Sequence, residues 1–163
     1  MRALQRFNEF LVTAGSWGTI FFMAVIAIVV PYEVIGRYVF EKMSMWSGEV
    51  STYSLVWASM LGGAVGLKKG YMISMTAFLE SVPQTAVKSL KFLSYLCALI
   101  FFGAMFGYGL FQTIYNVNQT SPAMSLVMSY PYAALPTGFF IMFFLTMEEL
   151  LTFLGLGRKG GAQ

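Results

Sequence analysis

The polar positions of this chain fall in short clusters separated by long apolar runs. Phe10–Tyr32 carries no charge over 23 residues, Val50–Leu67 none over 18, and Phe92–Met147 none over 56. A helix of about 20 apolar residues crosses a bilayer, so the first two runs read as one span each. The third is too long for one span, and a polar stretch from Asn116 to Pro131 divides it. The pattern predicts an all-α membrane protein with four transmembrane helices, at about 10–36, 48–67, 88–115 and 132–154, forming one domain over 1–163. Composition agrees: hydrophobic residues make up 58% and charged residues 10%, against roughly 25% charged in soluble domains.

The clusters between the runs give the ends of each helix. The first run exceeds the apolar core of a signal peptide, about 7–15 residues, and no small-x-small cleavage site follows it, so it reads as a retained span. Glu33 and Arg37 are four apart and close enough to pair on one helical face. Tyr38 and Trp46 are amphipathic rings suited to the headgroup level. Ser44 or Ser47 is expected to cap the second helix, with Glu49 in its first turn and favoured by the helix dipole. Beyond Lys68, Lys69 and Gly70, apolar residues recur at Met72, Met75, Phe78, Leu79 and Val82. That spacing is helical but too short to span, and predicts a short amphipathic helix lying in the interface between the second and third spans. Ser81 and Pro83 look like the N-cap region and first-turn proline of the third helix. Lys68, Lys69, Lys88 and Lys91 read as interfacial anchors. Asn118-Gln119-Thr120 matches a glycosylation acceptor, a tripeptide common by chance. Glu148 and Glu149 lie just before the basic tail of Arg158 and Lys159 and read as interfacial acids; buried functional acids are the alternative.

The second span differs from the others. At ~100° per residue, Glu49, Tyr53 and Trp57 share one side. Ser54, Ala58, Gly62 and Gly66 recur every fourth position on another. Small residues at this spacing let a neighbouring helix approach closely, which is how helices associate in lipid. The neighbour is either a helix of the same bundle or one of a partner, and a partner is expected.

Orientation follows from the basic residues. The N-terminal segment, the loop at 68–91 and the tail hold two, four and two of them; the other two loops hold only Arg37 and Lys42. Eight against two places both termini and the central loop in the cytoplasm.

Absences remove most chemistry. With no histidine, bis-histidine haem and Ser-His or Cys-His nucleophiles are excluded. The single Cys97 cannot form an intrachain disulfide or a Cys-x-x-Cys pair. There is no aspartate and no phosphate-cradling loop. The twelve methionines are dispersed like packing residues. The net charge of +3 is spread between apolar blocks and makes no nucleic-acid patch. Neither an enzyme nor a cofactor is expected.

Several motifs together resemble the small membrane subunit of TRAP transporters (tripartite ATP-independent periplasmic transporters, DctQ-like). In order they are Arg37-Tyr38-Val39-Phe40, Trp46 and Glu49, Trp57, Leu61-Gly62-Gly63-Ala64, Lys68-Lys69-Gly70 and Ile73. Ser121-Pro122-Ala123, Tyr132 and Leu135-Pro136-Thr137-Gly138 are similar to the family's approach to its fourth helix. The match covers roughly 30–140. There are departures: Gly48 stands where the family has a first acid after the tryptophan. Met72, Ser74 and Thr76 stand where it often has a His, a basic residue and an Asp.

The resemblance implies a bacterial inner-membrane subunit that braces a large permease subunit. That partner would carry substrate and sodium in an elevator movement, importing an organic acid delivered by a periplasmic binding protein. The partner interface is then expected at Arg37, Tyr38, Trp46, Glu49, Trp57, Ala58, Gly62 and Gly66, and membrane lipids surround the rest. Two other classes remain: a membrane anchor or assembly subunit of another complex, and a self-sufficient small four-helix carrier. The carrier would need an ionisable residue near mid-membrane, and none of the runs contains one.

Overall fold

The computed structural model describes residues 2–41, 44–79 and 84–155. Its helices are α1 (Arg2–Val39), α2 (Met45–Leu79), α3 (Gln84–Tyr115), α4 (Ser129–Tyr132) and α5 (Ala134–Phe153), with a 3-10 turn at Asn116–Asn118 after α3. Among the described residues, four stretches are long and apolar enough to cross a membrane: Leu4–Val39, Met45–Lys68, Val87–Asn118 and Ser129–Phe153. The fourth combines α4 and α5. Helix is the natural outcome, because in hydrocarbon every backbone N–H and C=O must find its partner within the segment. Polar side chains inside the runs follow the same rule. Thr13, Ser16 and Thr19 each donate to the carbonyl four residues earlier, at 2.8 Å, so these three hydroxyls do not face lipid unpaired.

Two details differ from the sequence-based expectation. The segment after Gly70 is no separate helix: α2 continues unbroken through Leu79, since its apolar residues already keep helical spacing and nothing there breaks a helix. Nor does a serine hydroxyl cap α2. Ser44 precedes the helix, but its buried hydroxyl has no hydrogen-bond partner, and Ser47 donates back to the Ser44 carbonyl at 2.9 Å. The cap expected around Ser81 and Pro83 lies outside the described residues.

α1 packs along α2, α3 along α5, and α2 and α5 join the two pairs. The contacts Met60–Gly138, Gly63–Met142 and Lys68–Glu148 advance together, so α2 and α5 run parallel. Tyr95–Phe153, Phe102–Phe139 and Gly109–Pro136 advance in opposition, so α3 and α5 run antiparallel. The core sits where α2 meets α5: Leu61, Ala64, Ile141 and Leu145 are buried, with Leu11, Val12 and Phe22 of α1 packed against them.

Close approach depends on two glycines. A Cβ on Gly109 would lie 3.0 Å from the Pro136 nitrogen, and one on Gly138 would lie 2.9 Å from Met60 Cβ. At Gly109 the obstacle is backbone and a fixed ring, which cannot rotate away. Gly109→Ala should therefore destabilise the purified chain by about 1–3 kcal/mol, as overpacked sites do, lowering its thermal midpoint in detergent. Gly107→Ala, with nothing within 4 Å of its Cβ position, should not. Equal midpoints for the two variants would mean that α3 and α5 are not packed this closely.

Candidate functional site

The polar contacts of this bundle gather at its two ends. One end is built on the Glu49–Tyr53–Trp57 side of α2. The chain from Gln119 to Met128 folds back as a small hairpin, with an antiparallel bridge between Thr120 and Val127. Met128 N–H donates to the Gln119 carbonyl at 2.9 Å, and Ser121 N–H to the Leu126 carbonyl at 2.8 Å. Ser125 closes its tip at φ 52°, a left-handed conformation rare outside glycine. The turn presents the successive amides of Ala123 and Met124 to one point. There the Glu49 carboxylate accepts from both, at 2.9 and 3.1 Å, and also from the Ser121 hydroxyl. Consecutive N–H groups form an anion-binding concavity, and hydrogen bonds to an ionised group are the strong kind.

The next two residues on that side of α2 continue the grip. Tyr53 donates its hydroxyl to Met128 Sδ at 3.4 Å, and Trp57 Nε1 donates to the Tyr130 carbonyl at 3.2 Å. Trp57 also stacks on Phe22 of α1, with centroids 5.6 Å apart and planes at 19°. Three residues at i, i+4 and i+8 thus hold ten residues of connecting chain, 121–130, against α2. Glu49 is not a first-turn dipole partner as expected: α2 begins at Met45 and has no acid in its first turn. At the end of α3, Ser129 of α4 donates to the Thr113 carbonyl at 2.6 Å, and Asn116 of the 3-10 turn donates to the Gln112 carbonyl at 2.7 Å. Both occupy carbonyls that the end of α3 would leave bare.

The opposite end joins three helices. Asn8 of α1 is fully buried. Its Nδ2 donates to the Phe144 carbonyl at 3.2 Å and to Glu148 Oε2 at 2.7 Å. Lys68 of α2 approaches the same carboxylate at 3.7 Å. A carboxylate with both a lysine and a buried amide is paired, as a half-buried charge has to be. Asn8 escaped the sequence reading: between Phe7 and Glu9 it looks like any other polar residue of the N-terminal segment.

The other predicted site residues fall into two groups. Tyr38 is 77% exposed and Trp46 43%, Trp46 lying 5.9 Å from the Tyr32 ring. Arg37 pairs with Glu33 at 2.9 Å on the surface, as expected. Gly66 is exposed, with nothing within 4 Å of its Cβ position. Ser54 and Ala58, by contrast, are buried, and a Cβ on Gly62 would meet Thr19 of α1 at 3.4 Å. Most of the small-residue stripe is therefore taken up inside the bundle. Lys88 is exposed and Lys91 partly so; the side chain of Lys69 lies outside the described residues.

Residues 26–155 match the family model of tripartite ATP-independent periplasmic transporters, DctQ component. The chain belongs to the DctQ family. It is 22% identical over 138 residues to the sialic acid TRAP transporter small permease protein SiaQ of Vibrio cholerae, covering 85% of this chain and 80% of that protein. It is 25% identical over 112 residues to a protein of Haemophilus influenzae named as a TRAP transporter small permease, covering 69% and 70%. This DctQ-family chain is a multi-pass inner-membrane component of a TRAP transporter and not an enzyme. The motif Ser121-Pro122-Ala123, part of the resemblance, now has a physical role: it supplies a hydroxyl and an amide to Glu49.

Removing that charge should loosen the hairpin without unfolding the bundle. In Glu49→Gln, amide hydrogen exchange at Ala123 and Met124 should rise about tenfold or more, as for a locally opened segment. Exchange in the middle of α5 should stay unchanged. Unaltered exchange at both loop amides would show that the carboxylate does not hold them.

Proposed function

We propose that this chain is the fixed brace of a TRAP transporter, holding a large sodium-coupled permease subunit that imports an organic acid. A periplasmic binding protein delivers the acid. The observation that carries this reading is the placement of polar contacts. Those that Asn8, Glu49, Lys68 and Glu148 make lie near the ends of the spans and tie helices and loops of this chain to one another. The apolar runs between them contain no ionisable group that would bind a coupling ion at mid-membrane. A relative named for sialic acid, itself an organic acid, supports that cargo class.

The interface with the large subunit involves the residues expected from the sequence, in two roles. Arg37, Tyr38, Trp46 and Gly66 offer accessible surface. Glu49, Trp57, Ala58 and Gly62 act from inside, by fixing the hairpin and α1 against α2. Lys68, Lys69, Lys88 and Lys91 set the level of the bundle among membrane lipids.

Reconstituted without other subunits, the chain should give no organic-acid uptake above empty liposomes under a sodium gradient. Co-reconstitution with the large subunit and binding protein should give uptake. Uptake by the chain alone would replace the brace by a self-sufficient carrier.

The basic bias of eight against two supports an orientation with both termini in the cytoplasm. Reporter fusions after residue 163 and within 84–90 should read cytoplasmic, and one near Gln119 periplasmic. A periplasmic C-terminus would overturn this orientation.

A further inference from the structure

The carboxylates that fasten the two ends of the bundle are held by different means. Glu148 has a cation, Lys68, at 3.7 Å, besides the amide of Asn8. Glu49 accepts only from neutral donors: the Ser121 hydroxyl and the N–H groups of Ala123 and Met124. Among the described residues no basic side chain pairs with it. Its three donors fall within one turn of chain, and no residue from Gln119 to Met128 is ionisable. The ionisable groups on the neighbouring elements are otherwise engaged or turned outward. Tyr53 of α2 donates to Met128, and Glu33 and Arg37 of α1 pair with each other. Tyr32 of α1 packs on Trp46, Tyr115 of α3 and Tyr130 of α4 are exposed, and so is Glu41 beyond α1. Tyr132 of α4 is half-buried. One proton-binding group therefore holds the tip of the hairpin.

An ionised carboxylate is an acceptor only, with lone pairs for all three donors. Once protonated, one of its oxygens carries an O–H and faces N–H groups that cannot accept it. The bonds that remain are between neutral groups and about half as strong. Protons from water reach the contact, because Pro122, Ala123, Met124 and Ser125 are exposed. The base of the hairpin does not depend on a carboxylate. Met128 N–H donates to the Gln119 carbonyl, Tyr53 to Met128 Sδ, and Trp57 to the Tyr130 carbonyl.

We infer that Glu49 is an acid-sensitive latch. By taking up one proton it frees residues 121–124 from α2, while the base of the hairpin stays fastened through Tyr53 and Trp57. The hold is complete at neutral pH and is lost as the pH falls through the range in which the carboxylate protonates. In the orientation proposed above, the latch faces the periplasm and the Glu148 contact faces the cytoplasm. Acid outside the cell then loosens one end of the α2–α5 pair and leaves the other pinned. The latch uses only contacts within this chain, and stands apart from the bracing role.

The test is amide NMR on the full chain in detergent, from neutral pH down to about pH 3. In wild type the Ala123 and Met124 amides should shift together in a single-proton step, and their protection against hydrogen exchange should fall about tenfold across it. The Trp57 indole N–H and the Met128 amide should not move. Glu33→Gln, which removes the surface ion pair near the same end, should titrate as wild type. Glu49→Gln should show no step and should have the acid-side protection already at neutral pH. A wild type without the step, or a step that survives in Glu49→Gln, overturns the latch. So does unchanged protection at both amides, since the protonated carboxyl would then still hold the tip. A Trp57 indole that moves in the same step overturns it as well, because the whole connection would be opening rather than its tip.

Discussion

Apolar side chains gain almost nothing by leaving lipid for protein, so this bundle cannot be held together by the force that assembles a soluble core. What remains is close van der Waals approach, backbone contact and polar pairing. The structure uses each in its own place. Gly109 and Gly138 let α3 and α2 come within backbone contact of α5 inside the apolar spans. The hydrogen bonds and the ion pair made by charged side chains between elements are kept near the ends, where the strongest donors and acceptors do not have to be carried into hydrocarbon.

How much of this was visible in the sequence depends on the range of the interaction. The four spans were legible, because a membrane span is a local property: uncharged runs of 23 and 18 residues, and one of 56 divided by a polar stretch, leave the backbone one solution. The Glu33–Arg37 pair was legible for the same reason, being four residues apart on one helix. The partners of Glu49 were not. They lie 72 to 75 residues away, and the anion-binding turn exists only once the hairpin has formed. Asn8 reaches Glu148 across 140 residues.

The small-residue stripe shows a different limit. Its period was real, and Ser54 and Ala58 are buried while Gly62 does meet another helix. Periodicity shows that a face can be approached, but it cannot say by which helix, because α1 and a foreign helix would need the same shallow surface. The long-range contacts decide. Trp57 stacks on Phe22, and Thr19 fills the space above Gly62, so α1 occupies the groove.

These contacts make α2 the common member of both ends. Glu49 holds the hairpin that leads into α5, and Lys68, 19 residues further on, meets Glu148 near the end of the same α5. At 1.5 Å per residue the two anchor points lie about 28 Å apart, nearly the ~30 Å of a bilayer core. A parallel pair of helices pinned at both ends and interlocked between at Met60–Gly138 and Gly63–Met142 resists sliding. Any shift large enough to move a cargo would break an end contact or drive Met60 into the α5 backbone. This interlock comes from two polar end contacts and a glycine rather than from a large buried core, and it is what the proposed bracing role requires.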